Sequence, residues 1–177
     1  MMPVVRGRSI QVLFDAKTIA ARNSEIAAEI AAAGYRELLV ISILKGSFVF
    51  AADLIRALHD AGLAPEVEFI SLSSYRASTV SSGKVAVLRD IDSDVAGRDV
   101  LLIDDILESG RTVAFAKETM KERGANRVAV AVLLSTSRES GSRRSRRIMS
   151  VSPAPIISSS AMAWIWAMPS ANCPMSA

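Results

Sequence analysis

The sequence has a single cysteine, Cys173, so no disulfide can form within the chain, and a reducing compartment is expected. Aromatic residues are only 5% of it, and nine glycines and six prolines are too few for a collagenous or low-complexity chain. No apolar run reaches the roughly 18 residues that a membrane-spanning helix needs. The opening MMPVVRGRS has no secretory hydrophobic stretch. No membrane association and a cytoplasmic location are the expectation. Half of the 177 residues are hydrophobic, enough for one domain with a real core.

Charge is unevenly spread. The net charge of +3 invites a nucleic-acid reading. Residues 135–177, however, carry five Arg and one Glu, whereas residues 1–134 hold 16 basic and 17 acidic residues. The basicity belongs to the tail, and a basic binding face for nucleic acid is not expected of the body.

Residues 1–134 read as alternating strands and helices. A short strand over Ser9–Phe14 precedes an Ala-rich helix from about Ala16 to Ala33, stopped by Gly34. The apolar run ELLVISIL, Glu37–Leu44, suits a strand covered on both faces. Lys45-Gly46-Ser47 breaks it, and a helix follows to about Ala61, ended by Gly62. Further strands are expected over Glu66–Ser71, Lys84–Leu88, Asp99–Ile103 and Arg127–Leu134, with a helix over Arg111–Arg123 stopped by Gly124. Ser73 to Gly83 is a polar stretch, and Arg89, Asp90 and Asp92 suit a charged turn. The alternation predicts an α/β fold with a mostly parallel, Rossmann-like sheet flanked by helices. Ligands of such sheets bind beyond the carboxyl ends of the strands, where the loops after Leu44 and Ile103 lie.

The most informative segment is VLLIDDILESGRTV, Val100–Val113. A buried strand ends in adjacent carboxylates, Asp104 and Asp105, and Glu108-Ser109-Gly110-Arg111-Thr112 then opens a helix. Free N–H groups at a helix N-terminus, small residues and hydroxyls make an anion-binding loop. Carboxylates beside it would repel a bare phosphate, but they suit sugar hydroxyls or a Mg²⁺ ion shared with the ligand. The pattern points to a phosphorylated sugar, and the Walker A spacing is absent. The plainer alternative is that the aspartates end the strand and Ser109 caps the helix. His59, between Leu58 and Asp60, suits a solvent-facing helical position rather than catalysis.

VLLIDDILESGRTV resembles the phosphoribosyl-pyrophosphate signature of the type I phosphoribosyltransferases. ISILKGSFVFAADLIRAL and SLSSYRASTVSSGKVAVLRDID resemble the pyrophosphate loop and flexible loop of the hypoxanthine-guanine phosphoribosyltransferases. The resemblance covers residues from about 10 to 134 and implies the type I phosphoribosyltransferase fold. It also implies purine salvage, in which phosphoribosyl pyrophosphate and hypoxanthine or guanine give the nucleoside monophosphate and pyrophosphate. By this resemblance Asp104 and Asp105 would hold the ribose hydroxyls and Mg²⁺. The run Glu108, Ser109, Gly110, Arg111, Thr112, with Ile106 and Leu107 before it, would surround the 5′-phosphate. Leu44, Lys45 and Gly46 would contact pyrophosphate across a cis peptide, and Ser74 and Tyr75 would close over the reaction centre. Glu108 stands where the family usually has an aspartate general base for the purine N7 proton. Homo-oligomers, dimers or tetramers, are implied too.

Residues 135–177 break this grammar: twelve of 43 are Ser, none is Leu, Phe or Tyr, and no charge follows Arg147. The family's base-contacting residues have no counterpart there. The codons of Ala161–Met168, AMAWIWAM, read from each third base, force Gly from Met162/Ala163, Asp from Trp164/Ile165 and Gly from Trp166/Ala167. Met168/Pro169 forces Ala and Asn172/Cys173 forces Leu. The remaining positions permit GYGMDMGYAFRELPYVG, which resembles the family's closing sequence. The expectation is a phosphoribosyltransferase core over residues 1–134 and, over 135–177, a tail displaced by a one-nucleotide frameshift at or just after Leu134. As written, the chain keeps the sugar-phosphate half of a site and lacks the base half, and it is not expected to position a purine. A regulatory or RNA-binding module using the Arg-rich tail is the alternative.

Overall fold

The computed structural model describes residues 4–9, 12–74, 85–107, 109–138 and 144–148. A small hairpin, β1 (Val4–Val5) and β2 (Arg8–Ser9), precedes helix α1 (Ala16–Ala32). Then follow β3 (Leu39–Leu44), α2 (Phe48–Asp60), β4 (Glu66–Ser74), β5 (Val85–Arg89) and β6 (Asp99–Leu107). Helix α3 (Arg111–Glu122), β7 (Arg127–Arg138) and β8 (Arg144–Ile148) complete the order. Among the described residues, no helix is long and apolar enough to cross a membrane.

The main sheet has the order β5-β4-β3-β6-β7-β8. β4, β3, β6 and β7 run parallel, and the edge strands β5 and β8 are antiparallel to their neighbours. The period of two in the strands sorts their side chains between two cores. Val40, Leu101 and Ile103 face α1 and α2, meeting Ile26, Ile30, Leu54 and Leu58. Leu39, Ile41, Val100 and Leu102 face α3, meeting Val113, Ala116 and Met120. Both central strands are therefore covered on both faces, as their unbroken apolar runs required.

Three expectations need correction. Of the strand expected over Ser9–Phe14, Ser9 pairs in the hairpin, residues 10–11 lie outside the described residues, and Val12–Phe14 carries no strand, Val12 and Leu13 being 52% and 57% exposed. Their apolar character marks no sheet face, and Asp15 instead caps α1, its carboxylate accepting from the Thr18 N–H at 2.7 Å. β6 runs past Ile103 to Leu107, because β7 continues beside it and supplies partners up to Ser135. Beyond Leu134 the sheet also gains β8, paired from Leu134–Ile148 to Arg138–Arg144, where no further strand was expected. An edge strand needs backbone partners on one side only, so a polar sequence does not forbid it.

At the amino ends of the strands a buried carboxylate ties three segments together. Asp99 accepts from the Arg36 N–H at 2.9 Å, from Asn126 Nδ2 at 2.7 Å and from Arg127 Nη2 at 3.1 Å. The Arg127 guanidinium also lies 3.7 Å from the centre of the Tyr35 ring. Burial pushes the Asp99 carboxyl up, and these hydrogen bonds and the Arg127 charge more than reverse it, leaving it below the ordinary carboxylate range. Nearby, Asp90 and Arg123 form a two-pronged ion pair at 2.9 and 2.5 Å, giving the expected charged turn a fixed partner in the turn after α3.

Candidate active site

The site lies where the sheet divides. From β3 the chain crosses through α2 to β4 on one side, whereas from β6 it crosses through α3 to β7 on the other. That reversal makes the β3/β6 boundary the topological switch point, the usual place for a ligand in an open α/β sheet. The β3–β6 ladder runs from Leu39–Val100 to Ser42–Ile103 and ends there. Beyond it β3 stays paired to β4 as far as Leu44–Ser71, and β6 to β7 as far as Leu107–Ser135. The two halves thus form a fork, with the Lys45 loop on one prong and the Asp104-Asp105 pair on the other.

The Leu44–Lys45 peptide bond is cis, as the resemblance implied. Two buried serines hold the loop after it: the Ser42 and Ser47 hydroxyls are 2.8 Å apart, and Ser47 donates to the Ile43 carbonyl at 2.5 Å. Sequence reading passed over this pair, because its meaning depends on a turn that returns Ser47 to β3. Lys45 and Gly46 are exposed. A Cβ on Gly46 would stand 2.8 Å and 2.9 Å from the Asp105 carboxylate oxygens, so only glycine lets the two prongs approach this closely. Leu44, Lys45, Gly46, Asp104 and Asp105 are therefore brought together around one notch.

Asp104 and Asp105 are each partly buried, and Asp104 Oδ1 accepts from the Asp105 N–H at 3.0 Å. Burial, and then the negative charge of Asp105, push the Asp104 carboxyl up to about 7. Neither carboxylate has an ion-pair partner among the described residues. No cluster of three or more metal-ligating side chains occurs among those residues either. Two close carboxylates of this kind fit a Mg²⁺ ion, which keeps water and takes substrate oxygens for its other ligands.

Next along the prong, Ile106 is exposed and Leu107 buried. Gly110, at φ +69°, turns the chain into α3. Its carbonyl accepts the first intrahelical bond, from the Ala114 N–H at 2.8 Å, leaving the N–H groups of Arg111, Thr112 and Val113 without intrahelical partners. Ser109 Oγ accepts from the Arg111 N–H at 3.5 Å, a cap-like contact of the loop. With its positive N-terminal end, α3 can receive an anion at this loop. Ser74 ends β4 on the same carboxyl side of the sheet, opposite Val85. Tyr75 and Glu108 lie outside the described residues. His59 is exposed and its Nδ1 lies 3.0 Å from the Leu63 carbonyl oxygen, far in role from any of this.

A cleft of about 620 Å³ opens from the notch between α1 and α2. Gly46, Asp105 and Ile106 line it at the sheet, with Leu133 and Leu134 of β7. Asn23 of α1 also lines it, 4% exposed, and its amide oxygen has no hydrogen-bond partner among the described residues.

Comparison with known proteins bears on the family and the fold. The phosphoribosyl transferase domain family matches residues 9–170. The hypoxanthine-guanine phosphoribosyltransferase of Dictyostelium discoideum is 40% identical over 129 residues, covering 71% of this chain and 71% of that one. That of Streptococcus agalactiae is 40% identical over 125 residues, covering 70% and 67%. Among solved structures, the hypoxanthine phosphoribosyltransferase of Trypanosoma cruzi superposes with a TM-score of 0.68 at 34% identity, over 76% of this chain and 73% of that one. That of Staphylococcus aureus gives 0.65 at 31% identity, over 71% and 67%. The forked parallel sheet is the type I phosphoribosyltransferase fold, and the chain belongs to the phosphoribosyltransferase family as a relative of the hypoxanthine-guanine phosphoribosyltransferases.

Proposed function

We propose that the chain serves purine salvage, transferring phosphoribosyl from phosphoribosyl pyrophosphate to hypoxanthine or guanine and releasing pyrophosphate. The observation that carries this reading is the meeting of Gly46 and Asp105 across the fork. A ligand with phosphates at both ends and a sugar between them suits a notch with an exposed lysine loop on one side, paired carboxylates at its floor and a helix N-terminus beyond.

In this reading the Lys45-Gly46 loop holds the pyrophosphate through backbone N–H groups and the Lys45 charge. Asp104 and Asp105 orient the ribose hydroxyls, and residues Ser109 to Thr112 hold the 5′-phosphate at the start of α3. When Mg²⁺ is bound by Asp104 and Asp105, the chemistry it supplies is neutralisation of the charge that gathers on the leaving pyrophosphate. The bond from C1′ to pyrophosphate breaks and the bond from purine N9 to C1′ forms, while Glu108 accepts the proton from N7. Ser74 and Tyr75 keep water from the activated sugar. The two carboxylates favour the positive charge that builds on the sugar ring between bond breaking and bond making. A cytoplasmic homo-oligomer completes the proposal.

Titration calorimetry with phosphoribosyl pyrophosphate and Mg²⁺ tests the sugar site directly. Binding should fall by about 100-fold in Asp105→Ala, a loss of about 2.7 kcal/mol. Equal binding by the two proteins would sink the assignment of the notch. With hypoxanthine added to a chain whose reading frame is restored after Leu134, nucleotide and pyrophosphate should appear in equal amounts.

A further inference from the structure

The cleft between α1 and α2 carries an inference beyond the sugar site. It is continuous with the notch, and Leu133 and Leu134 of β7 line its sheet side. Ile106, on the same wall, is 36% exposed. Open apolar surface of this kind, beside a strand of the sheet, suits a packed neighbour. The break in composition falls beside this wall, since everything after Leu134 lacks Leu, Phe and Tyr. The neighbouring frame of the same codons forces Gly, Asp, Gly, Ala and Leu and permits apolar and aromatic residues between them.

We propose that residues 135–177 are read out of frame by one nucleotide, and that the segment encoded in the neighbouring frame is the occupant for which this cleft is shaped. The two observations are independent. Codon arithmetic takes no account of the fold, and the cleft is built from residues outside the displaced segment. Leu, Phe and Tyr are absent from residues 135–177, so the written sequence offers little to the apolar part of the lining, Ile19, Val49, Phe50, Ile106, Leu133 and Leu134. The inference rests on the family reading for the shape of the restored segment, and its test separates the two.

Two proteins decide it: the chain as written and one with a single nucleotide added after the codon for Leu134. The restored chain should melt at least about 5 °C higher. Hydrogen exchange should slow along the cleft-facing positions of α1 and α2. Ala20→Glu places a charge on an exposed, cleft-lining position without disfavouring the helix. It should leave the melting point of the written chain within about 2 °C and lower that of the restored chain by more. Restored stability and a selective Ala20→Glu penalty without purine transfer would uphold the frame inference and sink the salvage reading. Equal melting points with equal Ala20→Glu effects would overturn the frame inference. So would full purine transfer by a chain whose mass matches the written sequence.

Discussion

The carboxylate of Asp105 occupies the space that a side chain on residue 46 would need, its nearest oxygen 2.8 Å from the position of a Cβ on Gly46. Gly46→Ala must push that carboxylate aside. The displaced group is the free end of a side chain, so the fold should tolerate the change. Its melting point is expected within about 2 °C of the parent. Affinity for phosphoribosyl pyrophosphate with Mg²⁺ should fall by at least about tenfold, or 1.4 kcal/mol. Calorimetry beside a thermal melt checks the split, and loss of both together would mean that the loop is structural.

Asp104 makes the apo site costly at high pH. Its folded pKa of about 7 lies above that of an ordinary carboxyl, so between about pH 4 and pH 7 the folded chain keeps a proton that the unfolded chain has lost. Stability from this group is complete at the acid end of that window and is lost as pH rises through 7. Asp104→Asn, which cannot ionise, should match the parent near pH 4 and melt higher than it at pH 8. Melts at both pH values suffice, and a variant less stable at pH 8 would contradict the placement of Asp104 beside Asp105.

Asp99 carries the opposite sign. Its lowered pKa means that its contribution is present above the ordinary carboxylate range and fades as pH falls through the folded value. Asp99→Ala leaves Arg127 without its carboxylate partner and the Arg36 N–H without its acceptor. A loss of about 3 kcal/mol at pH 7 is expected from denaturant unfolding, with the gap narrowing in acid. Sugar-site affinity should survive, since the network sits at the amino ends of the strands.

Glu108→Gln, made in the frame-restored chain, should lower turnover far more than affinity for phosphoribosyl pyrophosphate. On the proposed reading a base acts in the transition state, whereas the loop would hold phosphate in the ground state. Equal losses in kcat and in affinity would make Glu108 a positioning group.

How much of this was legible before any coordinates follows from the range of the interactions. The two central strands announced themselves as apolar runs because both faces are buried, and Gly34, Gly62 and Gly124 marked helix ends that each adopt positive φ. The paired aspartates and the loop after them could be read because their chemistry is local. Val12-Leu13-Phe14 misled because apolar residues on an exposed turn look like a strand in a one-dimensional pattern. The extension of β6, the strand β8 and the Asp99 network were out of reach. Each depends on partners 27 or more residues away or on an edge that accepts almost any sequence.

On the proposed reading, the fork beyond Ser42 and Ile103 makes the sheet a two-handed receptor. One hand, the β3 prong, would take pyrophosphate, and the other, the β6 prong, a ribose 5-phosphate. Each fragment alone engages one hand at the full entropic cost of capture. The intact reagent delivers its second half at the high local concentration set by its own covalent bonds. Breaking that bond is the reaction itself, so the products lose the chelate advantage at the moment they form. The geometry that gathers the reagent thereby also lets the products go.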